Sequence, residues 1–183
     1  MNGPDWRAAL DASGVLRRLA RFDPRVAGTF PLGLAVPGSD IDVLCHAPDA
    51  DAFAAALWAG CGDFDGFAMW QWQWQGLGQK ADRPVIASFS VAGVPFEIFG
   101  EARPVREQDG WRHFSVEKRL LRLGGEDLRE AVMNARRQGA KTEPAFAWVL
   151  GLKGDPYRAM LDLAELDDAG LLEVLKVKGS PGG

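Results

Sequence analysis

Two aspartates stand one residue apart in Ser39-Asp40-Ile41-Asp42-Val43-Leu44-Cys45, a run otherwise apolar enough to be a buried strand. Alternate residues of a strand share a face, so Asp40 and Asp42 would point the same way, their Cα atoms roughly 6.5 to 7 Å apart. Burying two carboxylates costs several kcal/mol each unless something positive meets them. That spacing lets both converge on one hard divalent cation. Magnesium takes a few carboxylates, keeps some waters and commonly shares its remaining positions with phosphates. A third acid, Glu97, is the only ionisable residue in Val94-Pro95-Phe96-Glu97-Ile98-Phe99 and sits mid-strand. Three acids from two strands could hold one or two metal ions, which clamp the attacking and leaving oxygens of an in-line phosphoryl displacement. Glu97 reads equally well as the outward residue of a half-exposed strand. Upstream, Gly28-Thr29 ends the preceding β-like run. Glycine permits close backbone approach, and amides with a threonine hydroxyl can donate to phosphate oxygens.

The elements that must position these groups follow from periodicity. Residues 5–22 read as helical and end at Asp23-Pro24; 25–30 are β-like; a loop with Pro31, Gly33, Pro37 and Gly38 leads into a strand over 39–45. An alanine-rich helix over 49–59 follows, closed by Gly60. Residues 67–75, FAMWQWQWQ, alternate strictly, with Trp70, Trp72 and Trp74 on one face and Gln71, Gln73 and Gln75 on the other, the period of a strand. Two further β-like runs, 84–91 and 94–99, meet at Ala92-Gly93 as a hairpin. From Trp111 the pattern is helical: one helix stops at Gly124-Gly125, a second at Gly139, a third covers 144–150, and a fourth opens with Asp155 as N-cap and Pro156 at N1. The tail KVKGSPGG reads as frayed. The expected class is α+β, with a mixed sheet and its helices over 1–108, a helical region over 109–178 packed on it, and a flexible tail over 179–183.

Composition narrows the function classes. The 183 residues are 47% hydrophobic and 25% charged, the profile of a soluble globular chain large enough for a core without staples. A net charge of −4 argues against a broad nucleic-acid surface, although arginines and lysines crowd between Arg103 and Lys141 and leave room for a local anion site. Cys45 and Cys61 lack metal spacing, and only His46 and His113 could join them, so no zinc set is expected. No apolar run reaches the ~18 residues of a membrane span, and the N-terminus has no secretory h-region. A reducing, cytoplasmic setting is the expectation.

Gly28-Thr29, Gly33 and Ser39-Asp40-Ile41-Asp42-Val43-Leu44 together resemble the nucleotidyltransferase superfamily, the DNA polymerase β-like fold, whose minimal members carry Gly-Ser, a further glycine and Ser-Asp-x-Asp-Leu at this spacing. The whole chain, including KTEPAF and GLKGDPY, is similar to a bacterial family of unknown function placed in that superfamily. The resemblance implies transfer of a nucleoside monophosphate from a nucleoside triphosphate to a hydroxyl acceptor, with Mg2+ or Mn2+. It makes Asp40 and Asp42 the metal ligands and Glu97 the third acid, which helps activate the attacking hydroxyl. Gly28, Thr29 and Ser39 match the nucleotide-holding positions. Two departures stand out: Leu32 lies where minimal members often carry arginine, and Glu97 is a glutamate where many have aspartate.

Several readings stay open. A catalytically silent module of the same fold, binding a nucleotide or a protein, fits Leu32. A glycosyltransferase holding a sugar nucleotide with D-x-D is less compatible with a chain lacking repeated βαβ units. The tryptophan stripe suits a helix-covered core or base stacking. Lys141-Thr142-Glu143-Pro144 opens a helix, with Thr142 or Glu143 as cap, and Lys141 is a candidate phosphate contact; plain capping explains the same residues. His113 reads as packed or solvated first and as a substrate contact second. Cys45 and His46, adjacent on a strand, face opposite ways and form no dyad.

Overall fold

The structure, a computed structural model, describes residues 5–71 and 84–179. It divides into two compact units, Met1–Pro31 with Pro37–Gln108, and Leu32–Val36 with Asp109–Gly183.

The first unit opens with α1 (Trp6–Ser13) and α2 (Val15–Arg18). The Asp5 carboxylate caps α1 by accepting from the Arg7 and Ala8 amides. After β1 (Arg25–Ala27) and α3 (Thr29–Leu32) the chain enters β2 (Ile41–His46). Then comes α4 (Ala50–Cys61), where Asp49 Oδ1 accepts from the Ala52 amide at 2.9 Å. Strands β3 (Asp65–Gln71), β4 (Val85–Val91) and β5 (Val94–Glu101) complete a five-stranded sheet in the order β1-β2-β5-β4-β3. Among the described residues, only β2 and β5 pair in parallel. The α+β class with a mixed sheet, flanking helices and a helical C-terminal half is therefore as expected.

The hairpin joining β4 and β5 is closed by Ala92 (φ 51°) and Gly93 (φ 75°), with Val91 paired to Val94. Two consecutive left-handed residues make the two-residue turn whose twist matches that of the strands. One sheet face is apolar by alternation. Ile41, Val43 and Cys45 of β2, Phe96 and Ile98 of β5, and Val85, Ala87 and Phe89 of β4 are buried with Leu19, Phe53 and Leu57 from the helices. Gly100 on β5 lets α4 come down closely, since a Cβ there would lie 2.2 Å from Phe53 Cε1.

Strand β2 begins two residues later than expected. Its partner β1 ends at Ala27, opposite Asp42, because Gly28 turns the chain at φ +73°. On β5 the next residue toward that end is Pro95, which has no N–H to offer a ladder. The helix-covered-core reading of the tryptophan stripe is also corrected at Trp70. Phe67 and Met69 pack against the core, whereas Trp70 is 41% exposed on the opposite face. Trp72, Trp74, Gln73 and Gln75 lie outside the described residues.

In the second unit, α5 (Asp109–Arg137) is interrupted at Gly125, whose φ of 64° and ψ of −156° are not helical, at the expected stop. Next come α6 (Thr142–Leu150), α7 (Pro156–Ala164) and α8 (Asp168–Gly179). Asp155 Oδ1 accepts from the Arg158 amide at 2.8 Å, as its place before Pro156 requires. Helix α8 replaces the start of the frayed tail; its amphipathic pattern is too weak to announce it, and Leu171 is fully buried. Residues 180–183 of the expected tail lie outside the described residues. Asp168 binds Arg119 Nε at 2.9 Å and also bonds Arg122, fastening α8 to α5.

Candidate active site

The face of the sheet opposite the core carries the acids. Asp42 on β2 is paired with Ala27 on β1 and with Glu97 on β5; Glu97 is paired with Ser88 on β4, and Ser88 with Ala68 on β3. Paired residues share a face, so Ala27, Asp42, Glu97, Ser88 and Ala68 form one row across all five strands. The next row is Arg25, Leu44, Phe99, Ile86 and Trp70. Asp42 and Glu97 thus sit side by side, about 5 Å apart at Cα, the spacing of neighbouring strands. Both are half-buried, as are Ser39 and Asp40. Asp40 stands one residue before β2 rather than within it. Among the described residues, no group of three His, Cys, Asp or Glu side chains is gathered closely enough to hold a metal ion.

Gly28 abuts Asp42. A Cβ at residue 28 would lie 1.7 Å from Asp42 Oδ2 and 2.7 Å from its Cγ. Both the left-handed φ and this approach demand glycine, so the carboxylate occupies the space that any side chain would need. Thr29 follows as the first residue of α3 and is buried at 8% exposure. Glycine, threonine and the aspartate on the adjoining strand therefore meet at the β1–β2 end of the row.

The remaining candidates belong to other elements. Lys141 is exposed in the helical unit at the N-cap position of α6, where its side chain makes no capping bond; this corrects the expectation of Thr142 or Glu143 as cap. Leu32, where a basic residue was absent, is buried at 4% exposure, and its carbonyl accepts from Arg129 Nη1 at 2.6 Å. His113 is a packed residue: its Nε2 donates to the Tyr157 carbonyl at 3.0 Å and its Nδ1 faces Glu143 Oε1 at 3.5 Å. Cys45 faces the core, where burial, then the neighbouring Cys61 and Asp23, push its thiol up to about 12. His46 continues the face of Asp42 and Leu44.

Sequence reasoning missed Ser88, Ala68 and the outward placement of Trp70. The signal for Ser88 was present in Val85-Ile86-Ala87-Ser88-Phe89-Ser90, where two serines alternate with core residues. Placing it beside Glu97 requires the hairpin register, which the two-residue turn sets.

A family model described as a domain of unknown function (DUF4269) matches residues 8–163. No curated protein matches the sequence. Among solved structures, the Cid1 poly(U) polymerase with MgGTP bound superposes with a TM-score of 0.53 at 15% identity, over 85% of this chain and 47% of its own. The same polymerase with Mg 3'-dATP bound gives 0.53 at 17% identity, over 85% and 46%. A cytoplasmic RNA terminal U-transferase gives 0.52 at 18%, over 80% and 45%. The chain thus spans about half the length of these nucleotidyltransferase-fold structures, and the likeness is one of fold.

Proposed function

The chain belongs to the DUF4269 family, a name that assigns no chemistry, and on that premise we propose that it is a metal-dependent nucleotidyltransferase. It moves a nucleoside monophosphate from a triphosphate to a hydroxyl acceptor. The observation that carries this reading is Gly28 against Asp42, and Asp42 beside Glu97, on the face of a nucleotidyltransferase-fold sheet opposite its core.

The donors fit a hard divalent cation because they are carboxylates, and Gly28 makes the room that the Asp42 carboxylate takes up. Asp40 and Asp42, with Glu97 beside them, would hold Mg2+ or Mn2+, which supplies charge stabilisation at the phosphoryl oxygens. The chain's own residues do the rest. The Gly28 and Thr29 amides and the Thr29 hydroxyl bind phosphate oxygens, with Ser39 flanking the acids. Glu97 orients the acceptor hydroxyl and takes its proton. Buried Leu32, and acids not gathered as a threefold group, favour the second reading, a module that binds a nucleotide without turning it over.

Calorimetric titration of ATP, GTP, CTP and UTP with Mg2+ or Mn2+ tests binding, and pyrophosphate release tests turnover. Asp40→Asn with Asp42→Asn is expected to abolish both signals. Binding without pyrophosphate selects the silent module. Neither signal, or no effect of the double substitution, overturns the reading.

A further inference from the structure

Helix α3, Thr29–Leu32, is a single turn. Nucleating so short a helix is unfavourable in isolation, and its carbonyls have no partners within it. Its end is fixed from a distant part of the sequence: Arg129 on α5 donates Nη1 to the Leu32 carbonyl at 2.6 Å. Gly33 follows at φ +70°, and a Cβ there would lie 3.1 Å from the same Nη1. Glycine is thus favoured twice at residue 33, by the left-handed backbone that closes a helix and by the approach of the guanidinium. Arg129 is steadied in turn by Glu126, whose Oε2 faces its Nε at 3.6 Å. Leu32 is buried and Leu34 fully so. Leu32–Val36 belong with Asp109–Gly183, so the contact lies wholly within the second unit.

The segment held in this way joins the two halves of the candidate site along the chain. Behind Leu32 a single turn runs back to Thr29 and Gly28; ahead of it the chain runs on to Ser39, Asp40 and β2. We infer that Arg129 is a positioning residue for the nucleotide site: by capping α3 at Leu32 it fixes where Gly28 and Thr29 present their donors beside Asp42. It acts through the covalent chain and touches no ligand. This rests on the nucleotidyl-transfer reading and adds to it the residue that sets the geometry of the phosphate-holding turn. The tolerance there is narrow, because Gly28 lies so close to Asp42 that a Cβ would meet its Oδ2 at 1.7 Å. A turn that drifts moves the donors away from the carboxylate, and a misplacement of about 1 Å caused far from the chemistry can cost about 100-fold. A donor that carries a full charge makes the stronger kind of hydrogen bond, so Arg129 holds the Leu32 carbonyl more firmly than a neutral side chain would. A cap that served stability alone would lower the melting temperature and leave the turn of the folded protein as it was.

The test uses the full chain, 15N-labelled, as wild type, Arg129→Ala, Arg129→Gln, Arg129→Lys and Asp168→Asn. Asp168→Asn is the control, since it loosens α8 from α5 within the same unit at Arg119 and Arg122. Without ligand, the backbone order parameters of Gly28 and Thr29 are expected to fall in Arg129→Ala and to hold in the control. Arg129→Gln, too short to reach the carbonyl, should behave as Arg129→Ala does, so the outcome does not depend on whether the alanine variant folds. Titration calorimetry with Mg2+ and whichever of ATP, GTP, CTP and UTP the wild type binds most tightly gives the second readout. Affinity is expected to fall tenfold or more in Arg129→Ala and Arg129→Gln and to be unchanged in Asp168→Asn. Arg129→Lys, whose ammonium can still donate to one carbonyl, should stay within about threefold of the wild type. Order parameters or affinity unchanged in the alanine and glutamine variants, a loss shared by the control, or lysine as weak as alanine overturns the inference. A wild type that binds no triphosphate fails the underlying reading instead, and the order parameters, which need no ligand, still decide whether Arg129 fixes the turn.

Discussion

Gly28→Ala tests the site at the point where backbone and carboxylate meet. An alanine at φ +73° carries the left-handed penalty of about 1–2 kcal/mol. Its Cβ would also sit 1.7 Å from Asp42 Oδ2, and relieving an overlap of that kind costs a further ~1–3 kcal/mol. Gly93→Ala is the matched control, since Gly93 has φ +75° and a Cβ there meets nothing within 4 Å. On this accounting Gly93→Ala loses about 1–2 kcal/mol, and Gly28→Ala about 2–5 kcal/mol. At about 2–4 °C per kcal/mol for a chain of this size, calorimetric melting separates the two. If the Asp42 carboxylate swings away instead, stability follows the control, but Mg-triphosphate affinity by titration calorimetry falls at least tenfold. A Gly28→Ala protein that melts with Gly93→Ala and binds triphosphate like the wild type would refute the reasoning.

Three further outcomes are expected. The Arg122 and Arg119 guanidinium groups hold the Asp168 carboxyl below its ordinary value of 3.8, so its contribution to stability is present above that pH and lost as pH falls through the lower folded value. The gap in urea midpoint between wild type and Asp168→Asn should therefore be constant near neutrality and close below pH 3.8; a pH-independent gap contradicts it. Burial raises the Cys45 thiol to about 12 and the Cys61 thiol to about 11, so a disulfide reagent at pH 8 should titrate neither in the folded protein and both in denaturant. Gly100→Ala drives a methyl into Phe53 and should cost about 1–3 kcal/mol by chemical denaturation, part of it recovered by adding Phe53→Leu.

What was legible in the sequence was local. The Asp-x-Asp pattern, the Ala92-Gly93 turn, the Asp155 cap and the break at Gly125 are each set by residues within a few positions of one another. Alternation also gave β3 its period, but not its face: Trp70 turns outward because Met69 is aligned through Ala87 with Ile98 and Val43 of the core. A stripe of tryptophans outweighs a stripe of glutamines on hydrophobicity alone, and cross-strand register overrides that preference. The late start of β2 likewise depends on Gly28 and Pro95, one on each flanking strand. Helix α8 was invisible because its attachment runs through Asp168 to Arg119 and Arg122 rather than through a strong apolar face.

The parallel pairing of β2 with β5 sets an order of assembly. The β4–β5 hairpin closes through two residues and belongs to the microsecond class of events. Asp42 meets Glu97 only after the chain through α4, β3 and β4 has looped back, and such non-local pairing is intrinsically slow. The interaction between these two residues is thus deferred until the β4–β5 hairpin is in place. In a denaturant chevron, Glu97→Gln should therefore act on the unfolding limb while leaving the folding limb nearly unchanged, the signature of an interaction formed after the rate-limiting barrier.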